Sequence, residues 1–315
     1  MINNTSLVPG YTNTLWLDLT LGGGGHSAGF LEKYLAVANN RSRKKDSKIL
    51  DMILVDLDIL SISRFLKLIK SKGFSYLDKG DFFLVESPGM TINIYWFNMN
   101  FASIWNDSRF KQITSTYLKE NSALSAIIDL GPSQNQISSR KYGMSYKANT
   151  DLDMRMDKNL LVSAADLLNV LERKKLIKLF REYADLRNPS ILVNQIIDFR
   201  RVVQIKTTAD LNLIIENAGY TSNTAQIYQG LRIAVNLEYQ NLIDSLIGYS
   251  DLIKIFDRSM LQVITFHSGE KKVLKRKLKE LNLEEKKIIY PSPSEIRSNP
   301  RSRSAALHLI YHQKH

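Results

Sequence analysis

Leu15-Trp16-Leu17-Asp18-Leu19-Thr20-Leu21-Gly22-Gly23-Gly24-Gly25-His26 leads an apolar strand into a glycine turn, and residues 27–38 then carry Phe30, Leu31, Leu35 and Ala36 at helical spacing. Glycine is otherwise scarce. There are 15 in 315 residues, yet five lie between Gly22 and Gly29. Glycines at a strand-to-helix turn let the backbone approach a ligand closely, with the helix N-terminus facing it. A plain tight turn is the other reading. After a basic loop (Arg41, Arg43, Lys44, Lys45, Lys48), residues 49–55 read as a second strand ending on Asp56-Leu57-Asp58, and a helix follows over 59–70. A carboxylate at that strand's end accepts hydrogen bonds from both ribose hydroxyls of an adenosyl cofactor. The loop lacks a Gly-Lys-Ser/Thr ending, which disfavours nucleoside triphosphate hydrolysis. NAD stays open, although the gap from Gly22 to Asp56 exceeds the usual spacing of about 20 residues. The basic loop accounts for the excess.

Further along, residues 82–85 and 94–97 are strand candidates, 113–119 a helix, and 124–128 an apolar strand closing on Asp129-Leu130-Gly131-Pro132-Ser133. Apolar strands alternating with helices predict a parallel sheet covered on both faces. From 139 to 221 only helices are expected. Ser163-Ala164-Ala165-Asp166 and Thr207-Thr208-Ala209-Asp210 are starts, Pro189 suits a first turn, and Gly219 is a stop. Strand rhythm returns at 261–266. The expected organisation is an α/β domain over 1–138 and 222–315, interrupted by a helical insertion at 139–221.

Lys and Arg number 43 against 31 Asp and Glu, a formal charge of +12, and 44% of residues are hydrophobic. The chain can bury a sizeable core, and its charge points to a nucleic-acid partner, with solubility alone as the plain alternative. No apolar stretch is long enough to span a membrane, and the first residues do not read as a secretory signal, so a cytoplasmic location is expected. Cysteine is absent. That excludes disulfides, thiolate metal sites and any cysteine nucleophile. His308, His312 and His315 are expected on a terminal tail without carboxylate support, so no metal site is expected.

Asp129 ends a central strand, where a carboxylate and the following carbonyls face the cofactor turn. Methylation of an amino group needs such acceptors. An exocyclic amine conjugated to its ring is a poor nucleophile, and acceptors for its N–H groups localise the lone pair. An ordinary strand-ending turn is the alternative. Asp151-Leu152-Asp153-Met154-Arg155-Met156-Asp157 reads either as a ligand or RNA clamp through Arg155 or as a salt-bridged surface turn. Phe266-His267-Ser268 ends the late strand. Lys271, Lys272, Lys275, Arg276, Lys277 and Lys279 form a basic helix after it, with Arg297, Arg301 and Arg303 beyond. Phosphate contacts or a solvated face both suit it.

Together these segments resemble the RsmH (MraW) family, methyltransferases of cytosine N4 in small-subunit ribosomal RNA. The matching segments include residues 21–27, Val55-Asp56-Leu57-Asp58, Asn100-Phe101, Asp129-Leu130-Gly131 with Gln136, and Tyr142-Gly143-Met144-Ser145-Tyr146. Leu152-Asp153-Met154-Arg155-Met156-Asp157, Tyr228-Gln229-Gly230-Leu231-Arg232-Ile233-Ala234-Val235-Asn236, Phe266-His267-Ser268 and Asn299-Pro300-Arg301-Ser302-Arg303-Ser304-Ala305 complete the set. The sequence departs from the family at Ala184-Asp185-Leu186, where the pattern is Gly-Glu-Glu, and at Gly269-Glu270-Lys271-Lys272, where it is Leu-Glu-Asp-Arg. The resemblance implies a Rossmann-like class I methyltransferase domain with an inserted helical substrate-recognition domain. It also implies S-adenosylmethionine as cofactor, and ribosomal RNA or the small ribosomal subunit as partner. It places Gly24, Gly25, His26, Asp56, Phe101, Asp129 and Gln136 at the cofactor, with Asp129 also as the catalytic residue. The rival expectation is a non-catalytic RNA-binding or ribosome-assembly factor that keeps the fold. The oligomeric state, a homodimer included, is left open by the sequence.

Overall fold

The computed structural model describes residues 13–39, 48–87, 90–118, 122–131 and 142–313. It divides into two compact units, Met1–Gly131 with Asn241–His315, and Pro132–Gln240. The expected insertion at 139–221 is narrower than the second unit.

The first unit is built on a nine-stranded sheet. Its strands are β1 (Asn13–Asp18), β2 (Lys48–Asp56), β3 (Tyr76–Asp78), β4 (Phe83–Ser87), β5 (Met90–Asn98), β6 (Ser122–Asp129), β7 (Arg258–Thr265), β8 (Glu285–Ile289) and β9 (Ala306–Gln313). The order is β3-β4-β5-β2-β1-β6-β7-β9-β8. The five central strands are parallel, while the outer pairings, β3 with β4, β4 with β5, β7 with β9 and β9 with β8, are antiparallel. The sheet is therefore mixed, where the sequence predicted a parallel one. The central strands explain why the apolar runs were readable. In β6 residues 122–128 and in β7 residues 259–265 are all buried, as strands covered on both faces must be.

Helices α1 (Gly25–Asn39), α2 (Ser61–Ser71), α3 (Ser108–Ser115), α10 (Ser268–Glu280) and α11 (Pro293–Ser298) belong to this unit. The helix predicted over 113–119 starts earlier, because the Asp107 side chain accepts from Phe110 N–H and caps it. Trp16, Leu31, Met52, Phe65, Ile94, Ile264 and Leu309 share one core. His308 and His312, expected on a tail, lie in β9, and His308 is fully buried. Pairing of β9 with β7 carries it inward, where its ring contacts Thr265 Oγ1 at 2.9 Å and the Glu285 carboxylate.

The second unit is helical: α4 (Ala164–Val170), α5 (Arg173–Tyr183), α6 (Ser190–Val202), α7 (Thr208–Asn217) and α8 (Thr224–Asn236), with α9 (Glu238–Leu252) leaving it. Both predicted starts form full capping boxes, at Ser163 with Asp166 and at Thr207 with Asp210. Pro189 is the residue just before α6, and Gly219 turns left-handed at φ 74° after α7. Helix α8 packs on α5 and α4, and its Leu231 and Val235 enter the unit's core with Leu168, Phe180 and Ile196. That packing carries the unit's edge past 221.

Candidate functional site

Three carboxylates end three adjacent parallel strands: Asp56 on β2, Asp18 on β1 and Asp129 on β6. Asp18 is in register with Leu54 and with Ile127. Asp56 and Asp129 each lie two residues beyond those partners, so all three side chains project to one face of the sheet. This is the carboxyl edge of an open α/β sheet, where such folds bind ligands.

The glycine turn is fixed against this edge by its own backbone. Leu21 N–H donates to Val55 O at 3.0 Å, Gly24 N–H to Leu21 O at 2.7 Å and Ala28 N–H to Gly24 O at 2.9 Å. Gly24 has φ 79°, and a Cβ there would stand 2.8 Å from Phe65 Cβ. Only glycine fits between the turn and α2. A Cβ on Gly23 or Gly25 would meet nothing within 4 Å, so the other side of the turn is open.

Asp56 is half-buried and already organises the turn. Its Oδ2 accepts from Gly22 N–H at 2.6 Å and its Oδ1 from Asp58 N–H at 2.8 Å. Each oxygen keeps a second lone pair for a ligand hydroxyl. Burial pushes its pKa up, against the pull of those backbone donors. Arg64 on α2 reaches back to Gly22 O at 3.3 Å and pairs with Asp58 at 2.6 Å. Both polar groups of Gly22 are therefore held from the β2–α2 side. The turn after β5, which contains half-buried Phe101, is tied to the same strand end: Met99 N–H donates to Asp56 O at 3.1 Å, as does Asn98 Nδ2 at 2.9 Å.

Asp18 is fully buried, and burial raises its pKa to about 6. Its carboxylate accepts from Thr20 N–H at 3.1 Å and Ser27 Oγ at 2.5 Å, and Ser27 Oγ accepts from Trp16 Nε1 at 2.8 Å. Thr20 Oγ1 accepts from Asp129 N–H at 2.7 Å. One network thus spans β1, the turn, α1 and β6. His26, in the first turn of α1, puts Nε2 3.4 Å from Asp129 Oδ2. Asp18, Thr20, Ser27 and Arg64 were not singled out from the sequence. The signal for Asp18 was a lone acid ending an apolar strand, while Arg64 acts across 42 residues and left none.

The structure brings Gly24, Gly25, His26, Asp56, Phe101 and Asp129 to the carboxyl edge of one sheet. Gln136 lies outside the described residues. Arg155, weighed as a clamp, grips its own loop: Nε and Nη2 donate to Asp153 at 2.6 and 3.0 Å, and Nη1 to Leu160 O at 2.8 Å. Asn236 on α8 holds that loop from both sides, donating to Met154 O and accepting from Met156 N–H, each at 2.8 Å. His267 caps α10: its Nδ1 accepts from Glu270 N–H at 3.4 Å, and Glu270 accepts from His267 N–H at 3.3 Å, completing the capping box, and from Phe266 N–H at 2.6 Å. The divergent Ala184-Asp185-Leu186 is a packing element, with Ala184 and Leu186 buried and Ala184 against Gly230. Among the described residues, no group of three or more His, Asp or Glu is arranged to hold a metal ion. No helix among them is long and apolar enough to cross a membrane.

The MraW methylase family pattern matches residues 96–313. The chain is 30% identical to the ribosomal RNA small subunit methyltransferase H of Campylobacter fetus, over 95% of this chain and 91% of that one. It is 28% identical to the protein of that name from Streptococcus pyogenes, over 94% and 91%, and 30% identical to that from Bacteroides fragilis, over 93% and 90%. A mostly parallel α/β sheet, a glycine turn pinned beside three strand-end carboxylates, and a match spanning most of the length agree: this chain belongs to the MraW methylase family of methyltransferases.

Proposed function

We propose that this protein methylates the N4 amine of a cytosine in small-subunit ribosomal RNA, with S-adenosylmethionine as donor. The observation that carries the cofactor reading is the pair Asp56 and Asp129 beside an open glycine turn, with Asp18 buried beneath them. Such a rim suits a cofactor bearing sulfonium and ammonium charges and repels the pyrophosphate of NAD. The residues present therefore fit the group. When bound, S-adenosylmethionine supplies an electrophilic methyl carbon on sulfur, open to in-line attack by an amine.

The rest falls to the chain's own residues. Asp56 accepts from the ribose hydroxyls, and Gly24 and Gly25, with His26 and Phe101, line the cofactor site. Asp129 faces the reacting end. There its carboxylate accepts an N–H of the target amine, localising the lone pair, and positioning supplies most of the acceleration. No covalent enzyme–base intermediate is required, consistent with a chain that has no cysteine. The cytosine assignment rests on the family resemblance and on this amine-acceptor chemistry. The helical unit, Pro132–Gln240, is the proposed RNA-recognition module.

Mass spectrometry of ribosomal RNA from wild-type and deletion strains tests the reading directly. One methylated cytosine should disappear in the deletion strain and return when purified protein and S-adenosylmethionine are added to its 30S particles. RNA binding without transfer would instead identify a non-catalytic assembly factor.

A further inference from the structure

We propose that Phe266 is a positioning residue for the transfer: its ring, seated on Gly131, sets the orientation of the Asp129 carboxylate. The proposal rests on the role given to Asp129 in the reading above. Asp129 is in register with Ile264 on β7, and Phe266 lies two residues beyond that partner. Its side chain therefore leaves the same face of the sheet as the three strand-end carboxylates, and it packs with Ile264 on the same core. A fourth strand end in the row thus carries a half-buried aromatic ring. A Cβ on Gly131 would stand 2.7 Å from Phe266 Cε2 and 3.1 Å from its Cζ, so the ring occupies the space a side chain would need. The backbone of Gly131 is outside the left-handed region, so its conformation does not call for glycine.

Phe266 is itself fixed from behind. Its N–H donates at 2.6 Å to Glu270, a buried carboxylate in the first turn of α10. The segment under the ring is the one that meets the Asp129 side chain. Leu130 N–H donates to Ile264 O at 3.2 Å, and Gly131 N–H faces Asp129 Oδ1 at 3.5 Å. The other oxygen, Oδ2, stands 3.4 Å from His26 Nε2. Both contacts lie at the long limit of hydrogen bonding, so a small shift of either partner removes them. Lone pairs stay available to a ligand, and their direction depends on where Gly131 is held. The bond from Asp129 N–H to Thr20 Oγ1 fixes the backbone and leaves the two side-chain torsions to these outer contacts. Core packing alone accounts for the ring's contact with Ile264. It does not account for a glycine beneath the ring where the backbone needs none.

The test measures single-turnover methyl transfer to 30S particles from the deletion strain, at saturating S-adenosylmethionine, for Phe266→Leu, Gly131→Ala and the double variant. Misplacing a catalytic group by about 1 Å can cost about 100-fold, so the smaller displacement in Phe266→Leu should slow transfer by about 10-fold. The S-adenosylmethionine dissociation constant should change less than the rate. In Gly131→Ala the new Cβ collides with the ring, and transfer should slow as well. In the double variant that methyl fills space the ring has left, so the rate should exceed that of Gly131→Ala alone. NMR titration should show a lower His26 pKa in Phe266→Leu, because the Asp129 carboxylate supports the imidazolium. A Phe266→Leu protein that melts lower yet transfers at the wild-type rate overturns the proposal. So do single-variant effects that simply multiply in the double variant. If the wild-type protein transfers no methyl, the enzyme reading falls and the His26 titration still decides: an unchanged pKa overturns the positioning role, and a lowered one upholds it.

Discussion

His26 Nε2 and Asp129 Oδ2 stand 3.4 Å apart, joining the start of α1 to the end of β6 at the edge where the cofactor is proposed to bind. Burial opposes protonation of His26, but the hydrogen bond to Asp129 and the charges of Asp18 and Asp129 outweigh it and raise its pKa. A histidine with a raised folded pKa lends stability that is fully present below its unfolded value of about 6.5 and is lost as pH rises through the folded value. The melting temperature of wild type relative to His26→Gln should therefore be greatest near pH 6 and shrink towards pH 8.5. Equal differences at both pH values would remove the ion pair from the folded state.

Asp18 gives the opposite kind of signature to a salt-bridged acid. Burial holds its pKa near 6 instead of 3.8, so the folded protein binds the proton more tightly than the unfolded chain between those values. Unfolding free energy then falls as pH rises through that window, by about 3 kcal/mol at 1.36 kcal/mol per unit. Asp18→Asn should be more stable than wild type above pH 6, lose that advantage at pH 4, and bind S-adenosylmethionine more weakly. Asp51 and Asp56 are raised in the same way, so part of the slope should remain. Chemical denaturation at pH 4 and pH 7.5 reads both effects.

Much of this was legible because the central strands are continuous apolar runs, which β1, β2, β6 and β7 announce without reference to partners. The capping boxes at Ser163 and Thr207 were equally local. The antiparallel margins were harder. Tyr76–Asp78 is too short to show a pattern, and β5 alternates burial along its length. His308 reads as a tail residue until β9 pairs with β7. In the site, Asp56 and Asp129 were visible as acids ending apolar runs. Asp18 ends one too, but its part is set by Thr20, Ser27 and Asp129, contacts that exist only once β1 and β6 are side by side.

The turn makes a paired glycine test. Gly24→Ala must place a Cβ 2.8 Å from Phe65 Cβ and 3.0 Å from its Cα, at a positive φ. Overpacking and backbone strain of this kind cost about 1–3 kcal/mol each, so a drop of that order in stability is expected. Gly23→Ala meets open space at an ordinary φ and should cost less than about 1 kcal/mol. Equilibrium denaturation of the two variants should rank them in that order.

Asp56 and Arg64 should separate by affinity. Asp56→Ala removes the proposed acceptor for ribose hydroxyls and also frees Gly22 N–H, so calorimetry should show S-adenosylmethionine binding weakened by about 1.5–3 kcal/mol per charge-assisted hydrogen bond lost. Arg64→Ala leaves that acceptor intact and releases only Gly22 O and Asp58. Its Kd should rise less, with kcat retained at saturating cofactor. An unchanged Kd for Asp56→Ala would take that residue out of the cofactor site.

Asp129 carries the sharpest test, because it is proposed to touch the amine as well as the cofactor. Its backbone N–H is held by Thr20 Oγ1, and its side chain faces His26, so Asp129→Asn should stay in place while losing the charge. Interactions that strengthen in the transition state raise kcat, whereas uniform binding changes only affinity. A hydrogen bond to a charged acceptor contributes about 1.5–3 kcal/mol, which predicts a single-turnover rate about 10- to 100-fold below wild type at saturating S-adenosylmethionine. The cofactor Kd should change less than that. The same variant should lower the His26 pKa, since the first group supporting the imidazolium is then neutral. If Asp129 only held the cofactor, the rate would fall at low S-adenosylmethionine and recover fully at saturation. Full recovery would leave the amine without the acceptor assigned to it here.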